Sequence, residues 1–465
     1  MSNQLNEIDN IPWQVQRFNE LIQGDKSIYF DVDDFEEIID HFVYLSHYEK
    51  ALQIAEYAIT VHPGSVPIML KRAQLLATSN KEDKALEILK DVEALEPDNS
   101  DIFLTKGAIY SQLKHYEKAI EEYNKAVVNA DEPDYIYCNI AFEYENMGNF
   151  DKTIEYLSKA LDLNPDNDLA IYEAAYCFDL LSLTEESIQF FSKLIDRHPY
   201  SIEAWFNLGV SYINAGLYEK AKESFEFALA IEPLHSPTWF HLGYALSLSE
   251  NFIEAIEAYK ASLENDEGDA MKYYYIGECH EKLEDYDKAM EYYKKATDIQ
   301  ADIPDAWIGM GVCQHELGND KKALKLLHRG VDLDSENTGY LCILADTYLA
   351  QDKADEAAHW YEKAVESSPE EESIRIDFAD AMAEKKRFEK AEGIIINAME
   401  KLPVSATLNY RMAAFLFLQG KEKEGSFFLE EALSMDFEKN SAMLEQYPEL
   451  KDNFDVMSLI TFYSL

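Results

Sequence analysis

A small residue recurs at every thirty-fourth position along this chain: Ala51, Ala85, Ala119, Thr153, Ser187, Ala221, Ala255, Ala289, Ala323, Ala357, Ala391 and Gly425. Twelve hits in one phase, with no insertion or deletion between them, make the 465-residue sequence a repeat array rather than a globule around one core. With the small residue as position 20 of its repeat, the first repeat starts at Val32 and the twelfth ends at Lys439. Position 8 is small from the second repeat onward (Ala73, Gly107, Ala141, Ala175, Gly209, Gly243, Gly277, Gly311, Ala345, Ala379, Ala413), and only Ile39 in the first departs. Position 24 is mostly large, as in Leu89, Tyr123, Phe191, Phe225, Tyr259 and Tyr293. Positions 4, 7, 8 and 11 form one helical stripe and 20, 24 and 27 another. Small residues at 8 and 20 let two antiparallel helices approach closely, while larger groups at 4, 11 and 24 fill the volume beside them.

Proline marks where helices stop. Pro63, Pro97, Pro165, Pro199, Pro233, Pro369 and Pro403 all fall at position 32, past the second helix, where a ring that cannot continue a helix belongs. Pro67, Pro237 and Pro304 sit in the first turn of a first helix, where the missing N–H costs nothing. Gly148, Gly216, Gly318 and Gly420 recur at position 15, the turn between the two helices.

These residues resemble the tetratricopeptide repeat family. The sixth repeat shows it best: Trp205, Leu208, Gly209, Tyr212, Gly216, Tyr218, Ala221, Phe225, Ala228 and Pro233 match the family pattern position for position. The resemblance covers Val32 to Lys439 and implies an all-α fold, a right-handed superhelical solenoid of twelve 34-residue helix-turn-helix repeats whose first helices line the concave face. It implies no particular partner, because the family is a scaffold for many.

A solenoid grows by nearest-neighbour stacking, so residues 32–439 are expected to form one elongated domain. Residues 1–31 read as an N-terminal capping segment, with a helix around Ile11 to Ile22 and a loop at Gly24–Asp25. After Lys439 a further first helix begins at Met443 and Leu444, but Pro448 stops the pattern. Residues 440–465, with Leu450, Phe454, Met457, Leu459 and Ile460, read as a capping helix over the last hairpin; the alternative is a docking tail at Phe462–Leu465.

Residues Met1 to Asn10 lack a basic region or apolar run, which argues against a signal peptide. No stretch reaches the ~20 apolar residues of a membrane span. Five cysteines, an odd number within helices, fit a reducing cytoplasm. The formal charge of −48 disfavours nucleic acid, which needs a basic patch. The same charge either forms a solvated skin on second-helix faces or steers basic clients inward.

Catalytic motifs are missing from the sequence: it has no phosphate-cradling glycine loop, HExxH, GxSxG or linked CxxC pair. Cys279–His280 and Cys313–His315 come nearest to a metal cluster, yet Cys177, Cys279 and Cys313 share position 10, where packing wants a small side chain. No enzyme activity, cofactor or metal is expected.

In the family, positions 2, 5, 9, 12 and 13 face the concave side, and helical geometry puts 5, 9 and 12 on one face. Position 9, usually polar in the family, carries Phe142, Tyr176, Val210 and Tyr244 in repeats four to seven, and position 5 carries Tyr172, Phe206, Phe240 and Tyr274 in repeats five to eight. Tyr135, Leu169, Ile213 and Leu248 extend this apolar surface, while Glu145, Glu173, Asp179, Glu278 and Glu281 rim it. The expectation is a protein-interaction scaffold whose aromatic, acid-rimmed groove holds a client segment with apolar anchors and Lys or Arg. Two bland alternatives stay open: ordinary superhelix packing, or a groove filled by the chain's own Trp13, Phe18, Tyr29 and Phe30. A different function also stays open, that of an oligomerising structural subunit. A carboxylate clamp for chaperone tails is disfavoured, since it needs Lys at position 5, and only Lys71 and Arg411 supply cations at position 6.

Overall fold

The computed structural model describes residues 13–22, 29–264 and 268–464. Among them every regular element is a helix. From Val32 onward the helices alternate at the period of the sequence. First helices such as Val32–Tyr44, Asp168–Leu180, Ile202–Asn214 and Ala406–Leu418 fill positions 1–13. Second helices such as Tyr48–Val61, Phe150–Leu163, Tyr218–Ile231 and Glu422–Met435 fill positions 17–30. The chain divides into two compact units, residues 1–232 and 233–465, and the division falls between helix Tyr218–Ile231 and helix Ser236–Leu248. No helix among the described residues is long and apolar enough to cross a membrane.

Within each hairpin, the two helices meet through positions 8 and 24. A Cβ added to Gly209 would lie 2.5 Å from the Phe225 ring, and one added to Gly107 would lie 2.4 Å from the Tyr123 ring. Position 8 is therefore the floor on which the position-24 side chain lies, and the missing Cβ makes room for the ring. Position 20 seals the approach from the other side. Thr153 Oγ1 donates to the Ala141 carbonyl of its own repeat at 3.3 Å, and Ser187 Oγ lies 2.7 Å from Ser211 Oγ of the next. Ile39, the exception at position 8, is fully buried in a repeat whose position 24 is Ala55, so large and small have exchanged places.

The turn is also constant. In every repeat the residue at position 15 has φ between 54° and 75°, whether it is Gly216 and Gly420 or Ser46, Lys114 and Glu250. The amide at position 16 bonds the carbonyl at position 11, as in His47 N–H to Phe42 O and Leu217 N–H to Tyr212 O, both 2.8 Å. The amide at 15 bonds the carbonyl at 12, as in Gly216 to Ile213 at 2.9 Å. This pair of bonds satisfies the last carbonyls of the first helix and turns the chain back. First helices start on caps that the sequence pattern left unremarked: Asn167 accepts from Ala170 N–H at 3.0 Å and Ser201 from Ala204 N–H at 3.2 Å. Trp205 and Trp239 at position 4 donate Nε1–H to the carbonyls of Pro199 and Pro233, which ties each first helix to the preceding position 32.

The described part of the N-terminal segment is the helix Trp13–Ile22 with Tyr29 and Phe30; residues 1–12 and the Gly24–Asp25 loop lie outside the described residues. Phe18 and Phe30 are buried with Phe35, Ile38 and Ile39. These two aromatics are committed to the core of the first hairpin, whereas Trp13 and Tyr29 are exposed. At the other end come helix Asn440–Gln446, a 3-10 turn at Pro448–Asp452 and helix Phe454–Tyr463. Met443, Leu450, Val456 and Ile460 are buried against the last hairpin, whereas Phe454 and Phe462 are exposed; Leu465 lies outside the described residues.

Candidate functional site

First helices of adjacent repeats meet by a simple rule: position 9 of one faces position 6 of the next. Lys71 is ion-paired with Asp40, and Gln74 Nε2 donates to Thr105 Oγ1 at 3.3 Å. Tyr244 and Tyr275 lie ring to ring at 5.8 Å, and Arg411 Nε donates to Asp380 Oδ2 at 2.9 Å. The rule follows from the helical period, since 6 and 9 sit one turn apart on the same face. Both position-6 cations that might have begun a carboxylate clamp are thus neutralised inside the fold.

In the N-terminal unit the rung between repeats four and five opens into a cleft of about 370 Å³. Its lining is Phe142, Glu145 and Asn146 from helix Pro133–Asn146, and Tyr172, Glu173 and Tyr176 from helix Asp168–Leu180. Phe142 lies three and four residues from Glu145 and Asn146, and Tyr176 lies four and three residues from Tyr172 and Glu173, so each helix presents one continuous edge. Tyr172 is 66 % exposed and Tyr176 46 %, both large apolar surfaces left toward solvent. The two helices are held in place by Asp134, whose carboxylate accepts from Asn164 Nδ2 at 2.8 Å and Asn167 Nδ2 at 2.9 Å. Burial alone would raise the Asp134 carboxyl; these amides carry it below its ordinary value.

The cleft is electrostatically one-sided. Glu173 is pushed up by burial and then by the charge of Glu145. The thiol of Cys177, one turn beyond Glu173, is pushed up to about 12 by burial and by the same two carboxylates. Among the described residues no cation lines this cleft.

Five of the residues expected to form the groove, Phe142, Glu145, Tyr172, Glu173 and Tyr176, therefore share one cleft. The others of this unit do not line it. Tyr135, Leu169 and Asp179 are exposed elsewhere, and Phe206, Val210 and Ile213 are half-buried. Phe206 leans on Phe225 of its own hairpin, with ring centres 6.0 Å apart.

In the C-terminal unit, Phe240, Tyr244 and Tyr274 gather around Tyr275, at 5.4, 5.8 and 5.1 Å respectively. Tyr275 is the hub that sequence reasoning missed. Its signal in the sequence is that it is the single tyrosine at position 6. Glu278 is half-buried beside this cluster, and burial raises its carboxyl. Glu281 is engaged in the fold: its Oε2 accepts from Tyr293 Oη at 2.7 Å, and burial outweighs that bond to raise its carboxyl.

A second cleft, of about 1040 Å³, lies on repeats ten to twelve of the same unit. Asp346, Asp377, Asp380, Glu384, Arg411 and Tyr447 line it, among others. Tyr447 Oη donates to Asp380 Oδ1 at 2.6 Å, so the segment before Pro448 forms one wall. Asp346 and Asp380 hold position 9, the position that carries the aromatics upstream; in so acidic a sequence they did not stand out.

Among the described residues no three His, Cys, Asp or Glu side chains are grouped to hold a metal ion. His280 stacks on Tyr292 at 5.5 Å, and His315 Nδ1 lies 3.2 Å from Asp320 Oδ1. All five cysteines are free, and burial pushes Cys138, Cys279 and Cys313 to about 12, which keeps them as unreactive thiols at neutral pH.

Tetratricopeptide repeat models match residues 100–127, 135–167, 202–234, 249–304, 281–341 and 348–406, together more than half of the chain. No curated protein matches the sequence. Among solved structures, the chain is similar to the tetratricopeptide protein YrrB, described as having an unusual peptide-binding site (19 % identity, 42 % of this chain and 97 % of that one, TM-score 0.34). It is similar to TTC0263, a thermophilic tetratricopeptide protein of Thermus thermophilus (22 % identity, 39 % and 99 %, TM-score 0.35). The Cut9–Hcn1 hetero-tetramer of the APC/C matches over a longer span (14 % identity, 83 % and 90 %, TM-score 0.42).

Proposed function

The chain belongs to the tetratricopeptide repeat family, and from that premise we propose that it is a non-catalytic scaffold that captures a segment of a client protein on its first-helix face. The observation that carries this reading is the cleft at Phe142, Tyr172 and Tyr176. Three aromatic rings converge there in one concavity beside two carboxylates, with Tyr172 and Tyr176 exposed. Exposed aromatics concentrated in a concavity are the usual anchors of an interface. The client is a protein segment with apolar anchors, and the free thiols suit a reducing cytoplasm.

Panning a displayed random-peptide library against the full chain tests this. Enriched peptides are expected to bind Tyr172→Ser/Tyr176→Ser at least tenfold more weakly, the loss typical of an aromatic anchor. Both side chains are exposed, so the circular dichroism melt should stay unchanged. Equal binding by the variant and the wild type would discard the cleft as the capture site. A mass in light scattering that stays that of one chain as concentration rises would discard the alternative of a self-assembling subunit.

A further inference from the structure

We propose that the cleft between repeats four and five receives one cationic side chain of the client, held by Glu145 and Glu173 and flanked by the rings of Tyr172 and Tyr176. This rests on the capture reading above and adds the chemistry of the group that enters. The argument comes from the rungs between first helices. Two carboxylates of 9-to-6 rungs are met by the chain's own cations, Lys71 at Asp40 and Arg411 at Asp380, whereas Glu278 stands opposite Gly309 and Asp346 opposite Asp377. At the rung of Phe142 and Glu173 the position-9 partner is an aromatic ring, and the nearest charge is a second carboxylate, Glu145. Neither glutamate is ion-paired among the described residues, and burial and mutual repulsion already disfavour the charge on Glu173. A half-desolvated carboxylate pair beside ring faces is the environment in which a guanidinium or ammonium gains most, through charge-assisted hydrogen bonds on one side and cation–π contact on the other. A cleft of about 370 Å³ has room for one such side chain and not for a folded element. The cation that enters this rung is then the client's.

Lysine and arginine share this chemistry, and the experiment separates them. Acetyl-Gly-Arg-Gly-amide, its lysine counterpart and its citrulline counterpart are titrated against the full chain, with saturation-transfer difference NMR reading the side-chain methylene protons. The expected result is transfer to arginine or lysine, at least fivefold weaker transfer to neutral citrulline, and a comparable loss in Glu145→Gln/Glu173→Gln. A control, Glu219→Gln/Glu226→Gln, removes two exposed charges of helix Tyr218–Ile231 and should leave the signal intact. The stronger of the two cationic probes identifies the client residue. Equal loss in the control would reduce the effect to the general negative field, and equal transfer to citrulline would remove the cation from the account; either overturns the proposal. If the cationic probes fail while Tyr172→Ser/Tyr176→Ser still abolishes library peptides, the aromatic capture reading survives and the cation alone is wrong.

Discussion

Ile39 and Ala55 show how much the packing of this chain is decided by single volumes. In most repeats a small residue at position 8 underlies a large one at position 24, and in the first repeat the assignment is reversed. Ile39→Ala would leave both sides of the contact small. A cavity from such a truncation costs about 2–4 kcal/mol, and Ala55→Leu added to it should recover a large part. The readout is amide hydrogen exchange over Val32–Val61, because a repeat array opens locally and has no single unfolding free energy. The presence of a small position 8 was legible from sequence. Its partner was not, since position 20 is equally small and more constant, while in the fold it is the position-24 ring that lies over the glycine. The trade is loose elsewhere: Ala345 tolerates Tyr361 and Gly311 serves Leu327, so sequence covariation within one chain could not have exposed it.

The helical hairpin is the element on which both fold and site depend, and its turn carries avoidable strain. Eight of the position-15 residues, including Lys114, Glu250 and Lys386, hold the left-handed conformation with a side chain attached. That conformation costs an L-residue about 1–2 kcal/mol, offset in part by the entropy a glycine loses on folding. Glu250→Gly should therefore stabilise its hairpin by about 0.5–1 kcal/mol, seen as slower hydrogen exchange in Ser236–Leu248. Gly216→Ala should cost a similar amount in Ile202–Asn214. Four glycines announced this turn in the sequence; Lys114, Glu250, Glu284 and Lys386 carry no turn signature, Ser46, Asn80, Ser182 and Asp352 carry only a weaker one, and the motif is enforced by the backbone bonds from positions 15 and 16. The site was legible to the same partial degree. Helical spacing put Phe142, Glu145, Tyr172, Glu173 and Tyr176 on one surface, and they line one cleft because they lie on two adjacent first helices. It overlooked Tyr275 and the acidic cleft at Asp346 and Asp380, because position 6 carries no other tyrosine, phenylalanine or tryptophan and aspartates at position 9 do not stand out in so acidic a sequence.

At the scale of the whole molecule the dominant quantity is a net charge of −48, and the structure adds where part of it is held at a cost. Burial is the leading cause of a raised carboxyl at Glu36, Glu143, Glu173, Glu278, Glu281, Asp346, Asp377 and Asp380. A carboxyl raised by folding keeps its proton to higher pH than it does in the unfolded chain. Folding thus takes up protons over that interval, so stability is greatest below the unfolded value and is lost as the pH rises through the folded one. Lowered carboxyls, such as Asp352 beside Lys385 and Asp355 beside Arg387, act in the opposite sense below their ordinary range. They belong to exposed pairs that contribute little. Fewer like charges at mildly acid pH also weaken self-repulsion. The melting temperature should therefore rise from neutral pH toward about pH 5, before the isoelectric point near 4.4 brings precipitation. Glu143 isolates the buried part of this effect. It is 3 % exposed, Ser111 bonds one oxygen, and its Oε2 has no hydrogen-bond partner among the described residues. Glu143→Gln should melt higher than wild type at neutral pH and converge with it near the ordinary glutamate value of 4.5. A constant offset between the two curves across that range would show that Glu143 does not change its protonation on folding, and that the acid stabilisation comes from the global field alone.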